Sequence, residues 1–166
     1  MTVIPSRVLC VCLGNICRSP TAEVILKTIA KRNGLQLAVD SAGTSNYHPS
    51  VSPDRRSQHH ALQHGYDLSA LKARQVRDQD FFEFDLILAM DHANLSDLQN
   101  WLLRIAPQIN KGHSIAKLAL MSEHDPIYPL QSVPDPYYGE AHDFERVIHH
   151  IESSASAWVR HWKKQT

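Results

Sequence analysis

Cysteine is scarce in this 166-residue chain: there are three, and all fall between positions 10 and 17. Three clustered cysteines make a poor disulfide framework and favour a reduced, cytoplasmic setting. They do not suit a metal either, because Cys10-x-Cys12-x4-Cys17 lacks the usual Cys-x2-Cys spacing and a fourth ligand. Net charge is absent, with Lys plus Arg and Asp plus Glu both at 17. That balance argues against nucleic acid as a general partner, so any anion recognition must be local. No apolar run reaches the ~18 residues of a membrane span. The first residues lack the charged, apolar and cleavage regions of a signal peptide, and no membrane partner is expected. The 11 His form no ligand-like set. The adjacent pairs His59-His60 and His149-His150 diverge on a helix and read as solvated faces. There is no repeat or low-complexity tract, and the length suits one domain over residues 1–166 with a core of its own.

The hydrophobic pattern alternates between strand and helix. Residues 7–13 are a short, mostly apolar run ending at Gly14, and Ser19-Pro20 then opens a helix. Ala22, Ile25, Leu26, Ile29 and Ala30 lie on one face of that helix, which Asn33-Gly34 closes. Further strands are expected at 37–42, 84–90 and 116–121. Helices are expected from Pro53-Asp54 to His64 and over 91–103, with a short helix or turn over 78–84. Phe144, Val147, Ile148, Ile151, Ala155, Trp158, Val159 and Trp162 mark the apolar face of a long C-terminal helix, a core stripe. This order predicts an α/β fold: a three-layer αβα arrangement around a four-stranded parallel sheet. Residues 123–139 carry four of the nine prolines and no periodicity, which marks a functional loop.

In such a sheet, ligands bind where strands end at their carboxyl termini. The loop Leu13, Gly14, Asn15, Ile16 and Cys17 sits there and runs into a helix N-terminus, whose free N–H groups and dipole suit a tetrahedral oxyanion. Gly14 allows unusual backbone angles and close ligand approach. Arg18 is a planar, charged fork able to hold two phosphate oxygens. It stands where an ordinary cation would be disfavoured by the helix dipole. The same surroundings favour the thiolate form of Cys12 and make it a nucleophile beside a phosphate cradle. Cys10, earlier on the strand, reads as core. Cys17 has two readings, loop packing or redox partner of Cys12. An oxygen leaving group needs a proton donor, and the proline-rich loop offers Glu123, Asp125 and Asp135.

The segment Cys12-Leu13-Gly14-Asn15-Ile16-Cys17-Arg18-Ser19-Pro20 resembles the signature of low-molecular-weight protein tyrosine phosphatases, and Asp135-Pro136-Tyr137-Tyr138-Gly139 resembles a second motif of that family. Weaker echoes are Asp40 to Thr44, Gly65 to Ser69, Lys72 to Gln75, and Met90-Asp91. Their order covers nearly the whole chain. The resemblance implies that Cys12 is the nucleophile, that Arg18 binds the phosphoryl group and that Asp135 is the general acid. It further implies that Asn15 and Ser19 shape the phosphate loop, with Tyr47, Tyr137 and Tyr138 as cleft walls. The chain departs from the family where some members carry His and Leu71 stands here, and its loop before Asp135 is longer than in many members. The expected activity is hydrolysis of aryl phosphate monoesters, with phosphotyrosine proteins as substrates, through a phosphocysteine and without cofactor or metal, by a monomer or weak oligomer. Alternatives are a protein arginine phosphatase or an arsenate reductase-like enzyme on this fold, or an inactive phosphopeptide-binding module. Arsenate reductases need resolving cysteines downstream, and none follows Cys17. Arginine-specific relatives carry Thr where Ile16 stands, and a branched apolar side chain there suits a flat phenyl ring.

Overall fold

Valines and leucines with cysteines between them make the run after Ser6 a strand buried on both faces, β1 (Arg7–Cys12). It is central in a four-stranded parallel sheet of order β2-β1-β3-β4, with β2 at Ala38–Gly43, β3 at Leu86–Ala89 and β4 at Lys117–Leu120. The computed structural model describes residues 4–109 and 112–165. The helices are α1 (Arg18–Arg32), α2 (Arg55–Gln63), α3 (Asp80–Glu83), α4 (His92–Ile105) and α5 (Ala141–Lys163).

Side-chain alternation along β1 divides the core into two layers. Val8 and Cys10 join α1 and α5 on one side, where Ile25, Leu26, Ile151, Trp158 and Trp162 are buried. Leu9 and Val11 join Phe81, Leu98 and Ile105 on the other. This is the expected three-layer αβα arrangement. The chain leaves β1 for β2 on one side and later returns to β3 on the other. The carboxyl end of β1 is therefore the topological switch point, where the layers leave a crevice.

Several boundaries differ from the sequence expectation. Helix α1 starts at Arg18, one residue before Ser19. Helix α4 runs beyond Leu103 to Ile105 and tightens into a 3-10 turn at Ala106–Gln108, where Pro107 cannot continue α-helical hydrogen bonding. The solvated-face reading of the histidine pairs is corrected. Each pair splits, with His59 and His149 exposed, while His60 stacks on Phe144 and His150 is buried against Tyr128. Helices α2 and α5 pack on one another, so neighbours about 100° apart on one helix meet different surroundings. Among the described residues, no helix is long and apolar enough to cross a membrane.

Candidate active site

The loop after β1 curls around the sulfur of Cys12. Ser19 Oγ lies 3.0 Å from Cys12 Sγ, and the Asn15 backbone N–H donates to the same sulfur at 3.3 Å. Asn15 Nδ2 donates to Ser19 Oγ at 2.8 Å, so the single Ser19 hydroxyl proton can turn to the sulfur at 3.0 Å or to the Ala42 carbonyl at 3.4 Å. A negative charge on Cys12 is thus met by the Asn15 N–H and, when its proton turns to sulfur, by the Ser19 hydroxyl. Asn15 has φ 58°, in the left-handed region that Asn tolerates better than most residues. The expectation that Gly14 supplies the unusual angle is corrected: Gly14 is not among the positive-φ positions, and its role is space. A Cβ there would come within 3.2 Å of His48 Cδ2. The loop is also fastened from outside, because Arg74 donates its backbone N–H to Asn15 Oδ1 at 3.0 Å.

Arg18 is the first residue of α1 and only 4% exposed. Its Nη1 donates to Asp91 Oδ2 at 2.6 Å and to the Val133 carbonyl at 3.0 Å. Burial works against its charge, but Cys12, Asp91 and Asp135 outweigh that penalty and raise its pKa. Asp91 is the N-cap of α4, and its other oxygen accepts the Asn94 N–H at 2.7 Å. One carboxylate therefore starts a helix and aims an arginine. Cys17, the N-cap of α1, makes no side-chain cap, so it ties up none of the first-turn amides.

Asp135 arrives from the opposite wall. Its Oδ1 accepts the Tyr137 N–H at 3.1 Å, and its Oδ2 stands 3.8 Å from Arg18 Nη2. The other acid candidates fall away on geometry. Neither Glu123 nor Asp125 lines this cleft. Asp125 is buried and accepts from Ile127, Tyr128, Ser153 and Ser154, which hold its pKa low against the opposing effect of burial.

Together these residues line a cleft of about 330 Å³. Cys12 and Arg18 form its floor, Leu13, Gly14, Ile16 and Cys17 its loop side, and Asp135, Tyr47, Tyr137 and Tyr138 its walls. Tyr47 and Tyr138 are 72% and 95% exposed, as rim residues should be when nothing covers them. Asn15 and Ser19 stand behind the loop. Burial pushes the Cys17 thiol up to about 12, with Ser57 hydrogen-bonded to it and opposing the shift. Cys10 is core, as expected, and its thiol is also raised by burial. Leu71 packs on the core. Sequence reasoning missed His48, which lines the cleft, and gave Asp91 no role. For Asp91 the usable signal was an Asp directly after an apolar strand with Asn three residues on, a helix-start pattern.

This constellation brings the sulfur of Cys12, the buried guanidinium of Arg18 and the carboxyl group of Asp135 around one cleft. Residues 7–166 match the family described as low molecular weight phosphotyrosine protein phosphatase. The chain is 42% identical over 142 residues to the human protein of that description, a match covering 84% of this chain and 85% of that one. A crystal structure of a low molecular weight phosphotyrosine phosphatase from Vibrio cholerae superposes with a TM-score of 0.81 at 37% identity, covering 96% and 97% of the two chains. The structure of a Drosophila arginine phosphatase gives a TM-score of 0.85 at 32% identity, covering 94% and 97%.

Proposed function

The chain belongs to the low molecular weight phosphotyrosine protein phosphatase family, a family of cysteine-dependent hydrolases acting on phosphoproteins, and from that premise we propose that the cleft removes phosphate from tyrosine side chains with Cys12, Arg18 and Asp135 in the leading roles. The observation that carries the assignment is the facing of Cys12 Sγ, held by Ser19 and Asn15, with Arg18 and Asp135 across one small cleft.

In the first step Cys12 sulfur attacks phosphorus in line. The S–P bond forms, the P–O(aryl) bond breaks, and Asp135 passes its proton to the departing phenol oxygen. Arg18 and the loop N–H groups meet the charge on the equatorial oxygens, where fixed donors in a partly dry site act most strongly. In the second step water attacks phosphorus, gives a proton to Asp135, and the S–P bond breaks to release phosphate and the Cys12 thiolate. Tyr47, Tyr137 and Tyr138 flank the ring of the substrate, and the loop of Leu13, Gly14, Asn15, Ile16, Cys17 and Ser19 shapes the cradle. No step calls for a metal. Residues 1–166 act as one domain, as a monomer or weak oligomer, and three unpaired thiols fit a cytoplasmic setting.

A second reading follows from the likeness to the Drosophila arginine phosphatase. Ile16 in the cleft wall speaks for the aryl substrate, since it offers no hydrogen bond to a guanidinium. The test of the nucleophile is Cys12→Ser assayed on 4-nitrophenyl phosphate with and without chelator. Turnover should vanish while phosphate still binds, and the wild type should be indifferent to chelator. Hydrolysis by the variant within about tenfold of wild type would sink the assignment.

A further inference from the structure

The segment bearing Asp135 has no regular secondary structure, yet two arginines pin it on either side. Arg18 donates to the Val133 carbonyl, two residues before the acid. Arg56 donates from Nη2 to the Tyr137 carbonyl at 2.9 Å, two residues after it. Arg56 lies in the first turn of α2 and is absent from the cleft lining, so it does not meet the phosphoryl group directly. Its Nε and Nη2 reach the Asp54 carboxylate at 3.1 and 2.9 Å. Its guanidinium also lies over the rings of Tyr137 and Phe144, at 5.6 and 4.7 Å from their centroids. Asp54 in turn donates its backbone N–H to the Ile16 carbonyl of the phosphate loop at 2.8 Å. Tyr137 donates its N–H to Asp135 Oδ1. One unbroken chain of contacts therefore runs from Ile16 through Asp54, Arg56 and Tyr137 to Asp135, joining the two loops that must meet across the substrate.

We infer that Arg56 is a positioning residue for proton transfer: by holding Tyr137 against the start of α2, it keeps Oδ2 of Asp135 aimed at the leaving group. This rests on Asp135 being the general acid. A purely structural role predicts little, because the Arg56 side chain is 45% exposed and exposed ion pairs contribute little to stability. Aim is a different matter, since a misplacement of about 1 Å in reacting groups costs up to roughly 10²-fold in rate.

The test compares kcat/KM for phenyl phosphate, whose leaving group needs a proton, with 2,4-dinitrophenyl phosphate, whose leaving group does not. Arg56→Met and Arg56→Ala should each lose about tenfold on phenyl phosphate and less than about twofold on the dinitrophenyl ester. Inhibition by inorganic phosphate should stay unchanged. In an Asp135→Asn background, Arg56→Met should cost nothing further, because residues acting through one another are not additive. Equal losses on both esters, or a full additional loss in the Asp135→Asn background, overturn the proposal. If Asp135→Asn alone slows both esters equally, the acid assignment itself falls and takes the Arg56 role with it. That outcome is visible without any change at Arg56.

Discussion

Asp91 performs two tasks with two oxygens, and a pair of substitutions separates them. Oδ1 caps α4 through Asn94, and Oδ2 ties Arg18 in place. Asp91→Ala removes both. Loss of the cap costs about 1 kcal/mol. Loss of the tie leaves a guanidinium that is 4% exposed with the Val133 carbonyl as its remaining hydrogen-bond partner and the Asp135 carboxylate 3.8 Å away. Because Asp91 is itself 21% exposed, the low end of the range for breaking a buried pair applies, about 3 kcal/mol. Asp91→Ser keeps a good cap but cannot reach Arg18, so it should lose only about 3 of the roughly 4 kcal/mol lost by Asp91→Ala. At a urea m-value of about 2 kcal/mol/M, those losses lower the unfolding midpoint by about 1.5 and 2 M. Tryptophan fluorescence reports the transition, since Trp158 and Trp162 are buried in the core. Activity should respond differently. Both variants release Arg18 alike, so kcat/KM on 4-nitrophenyl phosphate should fall by a similar factor of about 10² in each. If Asp91→Ser keeps wild-type stability and kcat/KM, Arg18 does not need the Asp91 carboxylate to hold it, and the geometric account of the site fails.

Three further outcomes are expected. His150 is buried on Tyr128 with Nε2 unpartnered among the described residues, and burial lowers its pKa against the opposing effect of Asp125. A depressed folded pKa means that the unfolded chain takes the proton first. This stability is therefore full above about pH 6.5 and drains as pH falls toward the folded value, so His150→Phe should flatten the decline of the urea midpoint between about pH 7 and 5; an unchanged decline refutes it. Wild type should prefer phosphotyrosine to phosphoarginine, and Ile16→Thr should narrow that preference in side-by-side kcat/KM measurements; a wild type that prefers phosphoarginine overturns the substrate assignment while leaving the mechanism standing. Peroxide should inactivate the enzyme reversibly, because a sulfenic acid on Cys12 is captured by the neighbouring Cys17 as a disulfide, and Cys17→Ser should lose recovery by thiol reductant; equal recovery in both makes Cys17 a packing residue only.

What was legible in the sequence was local. β1 and β3 read as strands because a central parallel strand is apolar on both faces, and α1 read as a helix because its buried stripe has helical spacing. The phosphate loop was legible for the same reason: nucleophile, donors and arginine lie within one short segment between a strand and a helix. What was not legible depends on contacts between distant segments. Asp91 looks like a helix cap and is one, and its second task appears only when Arg18, 73 positions away, folds against it. His60 and His150 look solvated until α5 packs against its neighbours. Gly14 was expected to allow the unusual backbone angles, but the positive φ fell on Asn15, whose side chain donates to Ser19.

The same distinction explains how a loop without regular structure can hold Asp135, the proposed acid, in place. Residues 123–139 contribute no helix or strand, so their order must come from hydrogen bonds to rigid elements at either side. The Val133 N–H donates to the Met90 carbonyl at 2.8 Å, at the end of β3, and the Val133 carbonyl accepts from Arg18. The guanidinium proposed to bind phosphate therefore also holds the stem of the loop that carries Asp135. Any motion that withdraws Arg18 from the cleft breaks a contact two residues from Asp135. In the proposed mechanism phosphate binding and proton delivery are thereby linked through one side chain, so Arg18→Lys should be a doubly damaging change. A lysine offers a point charge in place of the planar fork, and it cannot span the Asp91 carboxylate, the Val133 carbonyl and the phosphoryl oxygens together.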